Sequence, residues 1–419
     1  MARGNSSTYR PRLIDAVLAE TLRGLPAVLL VGPRASGKTT TARRHVATVV
    51  RLDRAVEAGP FRDDPDTLLA ELDEPVLLDE WQLVPEVLAA VKRSIDDHGG
   101  TNRFLLTGSV RAELLEATWA ATGRVVRLTQ WGMTQRELVG DVTAGSFFDR
   151  LFAGELATLR PPRQPPGLRD YVELAIRGTL PDLALQPSEP LRRRWLGAYI
   201  DQVLLRDASL ADDRRDPVRL RRYLNALCAN TAGVVEHKTL FDAAGINRET
   251  AVAYDSLFEL LFLAERIPAW HSNRLNRLTR SPKRYLTDAA IAAHTLGIDT
   301  RATLRNADLL GRLIDTFVLS QLRPEAHLAE TPLNLYHLRH EAGRHEIDLI
   351  AEANDGRVIA IEIKSTAAPT RNDATHLAWL RDRLGDQFVA GIVFHTGPRS
   401  RTLDDQIHAL PIATIWGSR

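Results

Sequence analysis

Four continuous apolar runs frame the first third of the chain. Residues 27–31 read Ala-Val-Leu-Leu-Val, and Val49 to Asp53, Pro75 to Asp79 and Arg103 to Thr107 follow. Strands that are apolar at nearly every position are buried on both faces, the habit of parallel sheets. Helical spacing fills the intervals, as in Thr39 to Ala47 and Pro85 to Asp97. This alternation predicts an α/β domain with a parallel sheet, closed by a strand at Val125 to Leu128. The proline-rich segment Leu159 to Gly167 interrupts both periodicities and reads as a linker. Helical patterns follow at Leu168 to Arg177, Leu191 to Leu210 and Pro217 to Thr231. The last 120 or so residues change character again. They predict a helix at Asn306 to Leu322, strands at Leu333 to Leu338, Glu346 to Ala351 and Val358 to Ile363, a helix at Arg371 to Leu384 and a strand at Phe388 to Phe394. The resulting division is 1–158, 168–300 and 301–419, with an α-β-β-β-α-β order in the last part.

Composition narrows the class. The chain has 419 residues, 44% hydrophobic and 26% charged, which excludes collagen-like and disordered readings. Lys plus Arg is 54 against 53 for Asp plus Glu, so no global basic excess points to a nucleic-acid partner. Only five of those cations are lysine and 49 are arginine, a bias most simply read as compositional. The single Cys228 excludes an internal disulfide and a cysteine-based zinc site. No apolar run approaches the roughly 18 residues that span a bilayer, and Met1 to Arg12 lacks an apolar core. The expectation is a cytoplasmic protein with no membrane partner.

Directly after the first strand stands Gly32-Pro33-Arg34-Ala35-Ser36-Gly37-Lys38-Thr39, followed by Thr40. This is the complete phosphate-loop pattern, a glycine-rich turn between a strand and a helix. Its glycines let backbone N–H groups curl around phosphate oxygens, and the helix start adds a positive dipole end. Lys38 is expected to reach the β- and γ-phosphates and the Thr39 hydroxyl to ligate Mg²⁺, so ATP and Mg are the implied cofactors. Val76-Leu77-Leu78-Asp79-Glu80 supplies an acidic pair at the end of another buried strand. Asp79 would hold the Mg²⁺ through water, and Glu80 would orient or deprotonate the attacking water. Phe104-Leu105-Leu106-Thr107-Gly108-Ser109 ends the next strand, placing Thr107 or Ser109 to sense the γ-phosphate. Arg124, after Gly123, is a candidate arginine finger toward a neighbouring subunit's nucleotide.

Taken together, GPRASGKT, VLLDEWQ and RFLLTGS resemble the AAA-type P-loop ATPases of bacteria and archaea over residues 25–130. The family commonly has an aliphatic residue where this chain has Trp81; the acids are intact.

Residues 220–270 carry three helical patterns, the last opening at Asn247-Arg248-Glu249-Thr250 after a turn at Gly245. That is a helix-turn-helix pattern and predicts a winged-helix-like region, with Arg248 at the reading end. Arg274, Arg277, Arg280, Lys283 and Arg284 follow as a basic stretch available to phosphates. In the last part, Glu362 and Lys364 lie two apart on one strand face, and Asp348 lies on a neighbouring strand. Two carboxylates near one point suit Mg²⁺, and a lysine beside them suits water orientation. This arrangement resembles the PD-(D/E)xK nuclease fold, with Asp348 at the metal aspartate, Glu362 at the second acid, Lys364 at the lysine and Asp315 as the helix acid. The whole chain resembles ATPases fused to a C-terminal domain of unknown function with a restriction-endonuclease-like core. The stretches Ala198 to Asp207 and Ser281 to Asp288 carry that wider likeness. The expectation is an ATP-binding, Mg-dependent ATPase that couples nucleotide state to DNA binding or processing through its C-terminal domain. The alternative is an ATP-dependent switch for protein assembly, as a homo-oligomer or with a protein partner, with a non-catalytic nuclease-like domain.

Overall fold

The computed structural model describes residues 9–108, 123–207, 216–277, 280–340 and 343–417. The chain forms two compact units, Met1–Met133 with Leu260–Phe262, and Thr134–Glu259 with Leu263–Arg419. The first unit ends at Met133, before the boundary placed at 158 from sequence, and the middle helices share a unit with the C-terminal sheet.

The first unit holds strands β1 (Ala27–Val31), β2 (Thr48–Arg51), β3 (Val76–Asp79), β4 (Phe104–Gly108) and β5 (Val125–Thr129). They form one sheet in the order β2-β3-β4-β1-β5, and every pairing is parallel. Each residue of β1 is fully buried, as its unbroken apolar run requires. The helix Glu86–His98 turns Val87, Leu88, Ala90, Val91 and Ile95 inward, three and four apart, and stops at Gly99 with φ 62°. With Leu29, Leu78 and Leu106 of the sheet, these side chains form the core of this unit. The strand order has one functional consequence: β4 lies between β1 and β3, so residues at the C-terminal end of β4 are flanked by both.

The second unit opens with Thr134, whose side chain and that of Glu137 cap the helix Gln135–Val139 reciprocally. Helices Leu168–Arg177 and Glu189–Gln202 follow; the latter passes into a π-helical turn at Val203–Asp207, and the expected helix end at Leu210 lies outside the described residues. Helices Pro217–Ala229, His237–Ala244 and Arg248–Leu260 precede the two-stranded antiparallel sheet of β6 (Ala264–Ile267) and β7 (Lys283–Leu286). The Asn306 side chain caps the 21-residue helix Ala307–His327. A mixed sheet then runs in the order β12-β13-β11-β10-β9-β8. Its strands are β8 (Leu333–His340), β9 (His345–Ala353), β10 (Val358–Ile363), β11 (Phe388–His395), β12 (Arg401–Asp404) and β13 (Ile407–Pro411). The helix Thr375–Leu384 packs Leu377 and Leu380 onto it beside Ile350, Val358 and Val393. The α-β-β-β-α-β succession stands, extended by the short strands β12 and β13.

Candidate functional site

The phosphate loop leaves the buried end of β1 through Gly32, whose φ is 153°. A Cβ there would lie 2.0 Å from the Gln130 carbonyl oxygen, so no side chain is tolerated. Gly37 caps the helix Lys38–Ala42 with φ 92°. Side chains from outside the pattern brace the loop. Arg12, buried, donates from Nη1 to the Ser36 carbonyl at 2.8 Å and from Nη2 to the Trp131 carbonyl at 2.8 Å. Gln130 Nε2 donates to the same Ser36 carbonyl at 2.9 Å. Two donors thus fix the Ser36 carbonyl, leaving the N–H side of the turn for an anion. The Ser36 hydroxyl is buried without a hydrogen-bond partner among the described residues.

Lys38 is 5% exposed and donates from Nζ to the carbonyls of Gly32 at 3.1 Å and Pro33 at 2.8 Å. Burial lowers its pKa to about 8, against the opposing pull of Glu80 and Asp79. Pro33, Arg34 and Ala35 form the body of the turn, with Ala35 at φ 60°, and Thr40 is exposed on the following helix.

The acid, the loop threonine and the strand threonine converge. Asp79 Oδ1 accepts from Thr39 Oγ1 at 2.7 Å and from Thr107 Oγ1 at 2.5 Å. The register explains it, since Thr107 pairs with Asp79 on one side and with Leu30 on the other. A hydroxyl and a carboxylate side by side are hard oxygen donors, the set that suits Mg²⁺. Glu80 follows in the left-handed region at φ 58° and ψ 46°, an uncommon place for a carboxylate side chain. Its Oε2 accepts from Gln82 Nε2 at 2.5 Å. Trp81 is fully buried in the sheet core, its ring close to Gly108.

Two nucleotide-site candidates remain, Ser109 and Arg124. Ser109 lies outside the described residues. Arg124 sits one residue before Val125, which pairs with Ala27, the first residue of β1, and is therefore at the opposite end of the sheet from the loop. Its Nε pairs with Asp96 at 2.5 Å on the surface. It cannot reach its own chain's loop.

The C-terminal candidates do meet, with a partner the sequence reading assigned elsewhere. Lys283, 3% exposed, donates from Nζ to Asp315 Oδ2 at 2.6 Å and to Asp348 Oδ1 at 2.8 Å. Tyr285 donates its hydroxyl to Asp315 Oδ1 at 2.9 Å, and the Ile363 N–H donates to Asp348 Oδ2 at 2.9 Å. Lys364 Nζ donates to Glu362 Oε1 at 2.7 Å, while Glu362 Oε2 is buried with no partner among the described residues. Burial would lower the Lys283 pKa, but the two aspartates hold it well above the ordinary lysine value. Burial lifts the Glu362 carboxyl to about 8, with Asp348 adding to the rise. The sequence expected Asp315, Asp348 and Glu362 to share a metal ion. The structure places an ammonium between the two aspartates, and among the described residues no group of three His, Cys, Asp or Glu is arranged to hold a metal.

The basic stretch is likewise spent internally. Arg284 pairs with Asp255 at 3.1 Å, Arg277 Nη2 donates to Glu352 at 2.9 Å, and Arg280 donates to the Arg339 carbonyl at 3.0 Å. The Arg274 side chain lies outside what is described. On the helix Arg248–Leu260, Asn247 caps Thr250 as expected, but Asp255 is buried against Tyr223 and Arg284. Sequence reasoning missed Arg12 and Gln130, which belong to no motif, and Lys283, which was counted among surface cations.

Residues 25–139 match the family model of the AAA domain. Residues 168–302 match a domain of unknown function (DUF8612), and 310–415 match another (DUF4143). An uncharacterized protein of Mycobacterium bovis and one of Mycobacterium tuberculosis are each 29% identical over 407 residues, covering 96% of this chain and 83% of the relative. A Walker-type ATPase of Pyrococcus abyssi aligns with a TM-score of 0.37 at 16% identity, over 67% of this chain and 94% of that one. Among the described residues no helix is long and apolar enough to cross a membrane. The AAA match supports an N-terminal P-loop ATPase domain, followed by a C-terminal domain of unknown function that forms a separate mixed sheet.

Proposed function

We propose that this protein hydrolyses ATP with Mg²⁺ and that nucleotide state switches a C-terminal domain that binds a partner without cutting it. The observation that carries the first half is the convergence of Thr39 and Thr107 on one oxygen of Asp79. Thr39 and Asp79 would hold Mg²⁺, which when bound neutralises phosphate charge. The N–H groups of the turn and Lys38 bind the phosphates; Glu80 takes the proton of the attacking water; Thr107 reports the γ-phosphate to Asp79 by the hydroxyl it already shares. Lys38→Ala should lose nucleotide binding or turnover. Glu80→Gln should keep ATP and hydrolyse it about 10²-fold more slowly.

The non-catalytic reading of the C-terminal domain draws on Lys283, whose ammonium is held between two of the carboxylates a nuclease would need. A second reading, coupling to DNA binding or processing, is favoured by a different feature. A surface cleft of about 540 Å³ is lined by Arg160, Arg399, Arg401 and His408, with no acidic residue in its wall. A phosphate backbone would suit such a wall. Steady-state ATP hydrolysis with and without DNA separates the two, with Lys38→Ala as the blank. Turnover that DNA leaves unchanged keeps the protein switch; stimulation transfers the weight to DNA. Turnover that survives Lys38→Ala overturns the ATPase assignment.

A further inference from the structure

Lysine is scarce in this chain: five residues against 49 arginines. Two of the five, Lys283 and Lys364, stand in one cluster with Asp315, Asp348 and Glu362. Lys283 comes from β7, on a different sheet from Asp348, and Asp315 comes from the helix Ala307–His327. Three separate elements therefore aim one ammonium and two carboxylates at a common point. The ammonium is a compact charge with three donors and no acceptor, unlike the flat fork of arginine. Its distances of 2.6 and 2.8 Å to two carboxylate oxygens place it where a cation shared by them would sit. Each remaining oxygen of the aspartates is taken, by the Tyr285 hydroxyl and the Ile363 N–H. Glu362, 6% exposed, keeps Oε2 without a partner. It is the one carboxylate oxygen of the set still open to a ligand.

We propose that Lys283 is the built-in cation of this cluster: its ammonium occupies the position of a divalent ion between Asp315 and Asp348, and so holds the C-terminal domain in a metal-free, non-hydrolytic state. The charge balance supports it. Lys283 already sits between the two aspartates and Lys364 on Glu362, so a divalent ion added to the same buried space beside both ammoniums would leave excess positive charge at high cost. Removing the lysine side-chain charge leaves the two aspartates facing one vacated point, which is a hard-oxygen cation site. The inference rests on the non-catalytic reading of this domain and is independent of ATP hydrolysis.

The test uses the full-length chain, without nucleotide, titrated with Mn²⁺ and read by electron paramagnetic resonance of the free ion. Four chains are compared: wild type, Asp348→Asn, Lys283→Met, and Lys283→Met with Asp348→Asn. The expected result is identical Mn²⁺ uptake by wild type and Asp348→Asn, because no site in wild type depends on that aspartate. Lys283→Met should take up one further equivalent, lost again in the double variant. A wild-type site abolished by Asp348→Asn overturns the proposal, as does a folded Lys283→Met with no gained site. If Lys283→Met does not fold alone, it is refolded in Mn²⁺: recovery is expected because the ion replaces the ammonium, and failure to recover counts against the idea. DNA cleavage by the wild type with Mn²⁺, lost in Lys364→Ala, would end the non-catalytic reading itself. Absence of a gained site in a chain that cuts nothing ends only the assignment of Lys283.

Discussion

Replacing Glu362 with glutamine probes how thoroughly the C-terminal carboxyl is withdrawn from water. Glu362 is 6% exposed, and burial, with the Asp348 charge added, lifts its pKa from 4.5 to about 8. The unfolded chain releases this proton near pH 4.5, whereas the folded chain keeps it until about pH 8. Between those values the folded state binds more protons than the unfolded state, so its stability is fully present at the acid end and declines as pH rises. The decline from this group is about 1.4 kcal/mol per pH unit and at most about 5 kcal/mol over the window. Glutamine keeps the size and the oxygen that accepts from Lys364 but cannot titrate. Urea unfolding of both chains, stepped from about pH 5 to about pH 8, gives the difference in stability. The variant should gain on wild type with each step, by about 1.4 kcal/mol per pH unit. Asp315, which burial also raises, is common to both chains and cancels. A difference that stays level across the range refutes the burial argument.

Three further outcomes follow from the geometry. Gly32→Ala forces a methyl group to within 2.0 Å of the Gln130 carbonyl at φ 153°, so nucleotide binding, read by fluorescent-ATP titration, should be lost in a chain that remains folded by circular dichroism. Thr107→Val keeps the volume and removes the hydroxyl donor to Asp79; turnover should fall by about 10²-fold with ATP affinity little changed, and a turnover equal to wild type would remove the sensor role. Arg136→Ala strands Glu325, which is otherwise held by both Arg136 Nη1 bonds at 3.0 and 2.9 Å and by the Phe147 N–H; the cost should be about 3–5 kcal/mol by urea unfolding, with much of it recovered in a double apolar replacement.

The nucleotide site was legible because its parts are local. A buried strand, a glycine turn and a helix occupy consecutive residues, and Asp79 with Glu80 ends another apolar run, so periodicity alone locates them. The partners of Asp79 were legible as types, but not as a shared oxygen; that depends on β4 lying between β1 and β3. Arg12 and Gln130 act on the same carbonyl from 24 and 94 residues away, and such distances leave no local trace. The C-terminal carboxylates were placed correctly on helix and strands, yet their counter-ion was misread. Lys283 and Arg284 look like a solvated basic run until β7 pairs with β6 and both side chains prove to be buried. β12 and β13 are short, and β12 is mostly exposed, so the alternation that marks a strand never develops there.

The ion pair between Lys283 and the two aspartates also bears on modularity. The two domain families of unknown function meet between residues 302 and 310, with Lys283 on one side of that border and Asp315 and Asp348 on the other. What looks like a seam for exchange is therefore crossed by a charge that neither half can balance alone. A fragment starting at 301 would carry both aspartates inward with their counter-ion left behind. A C-terminal domain transplanted onto another ATPase without the preceding segment would have to bring a cation of its own.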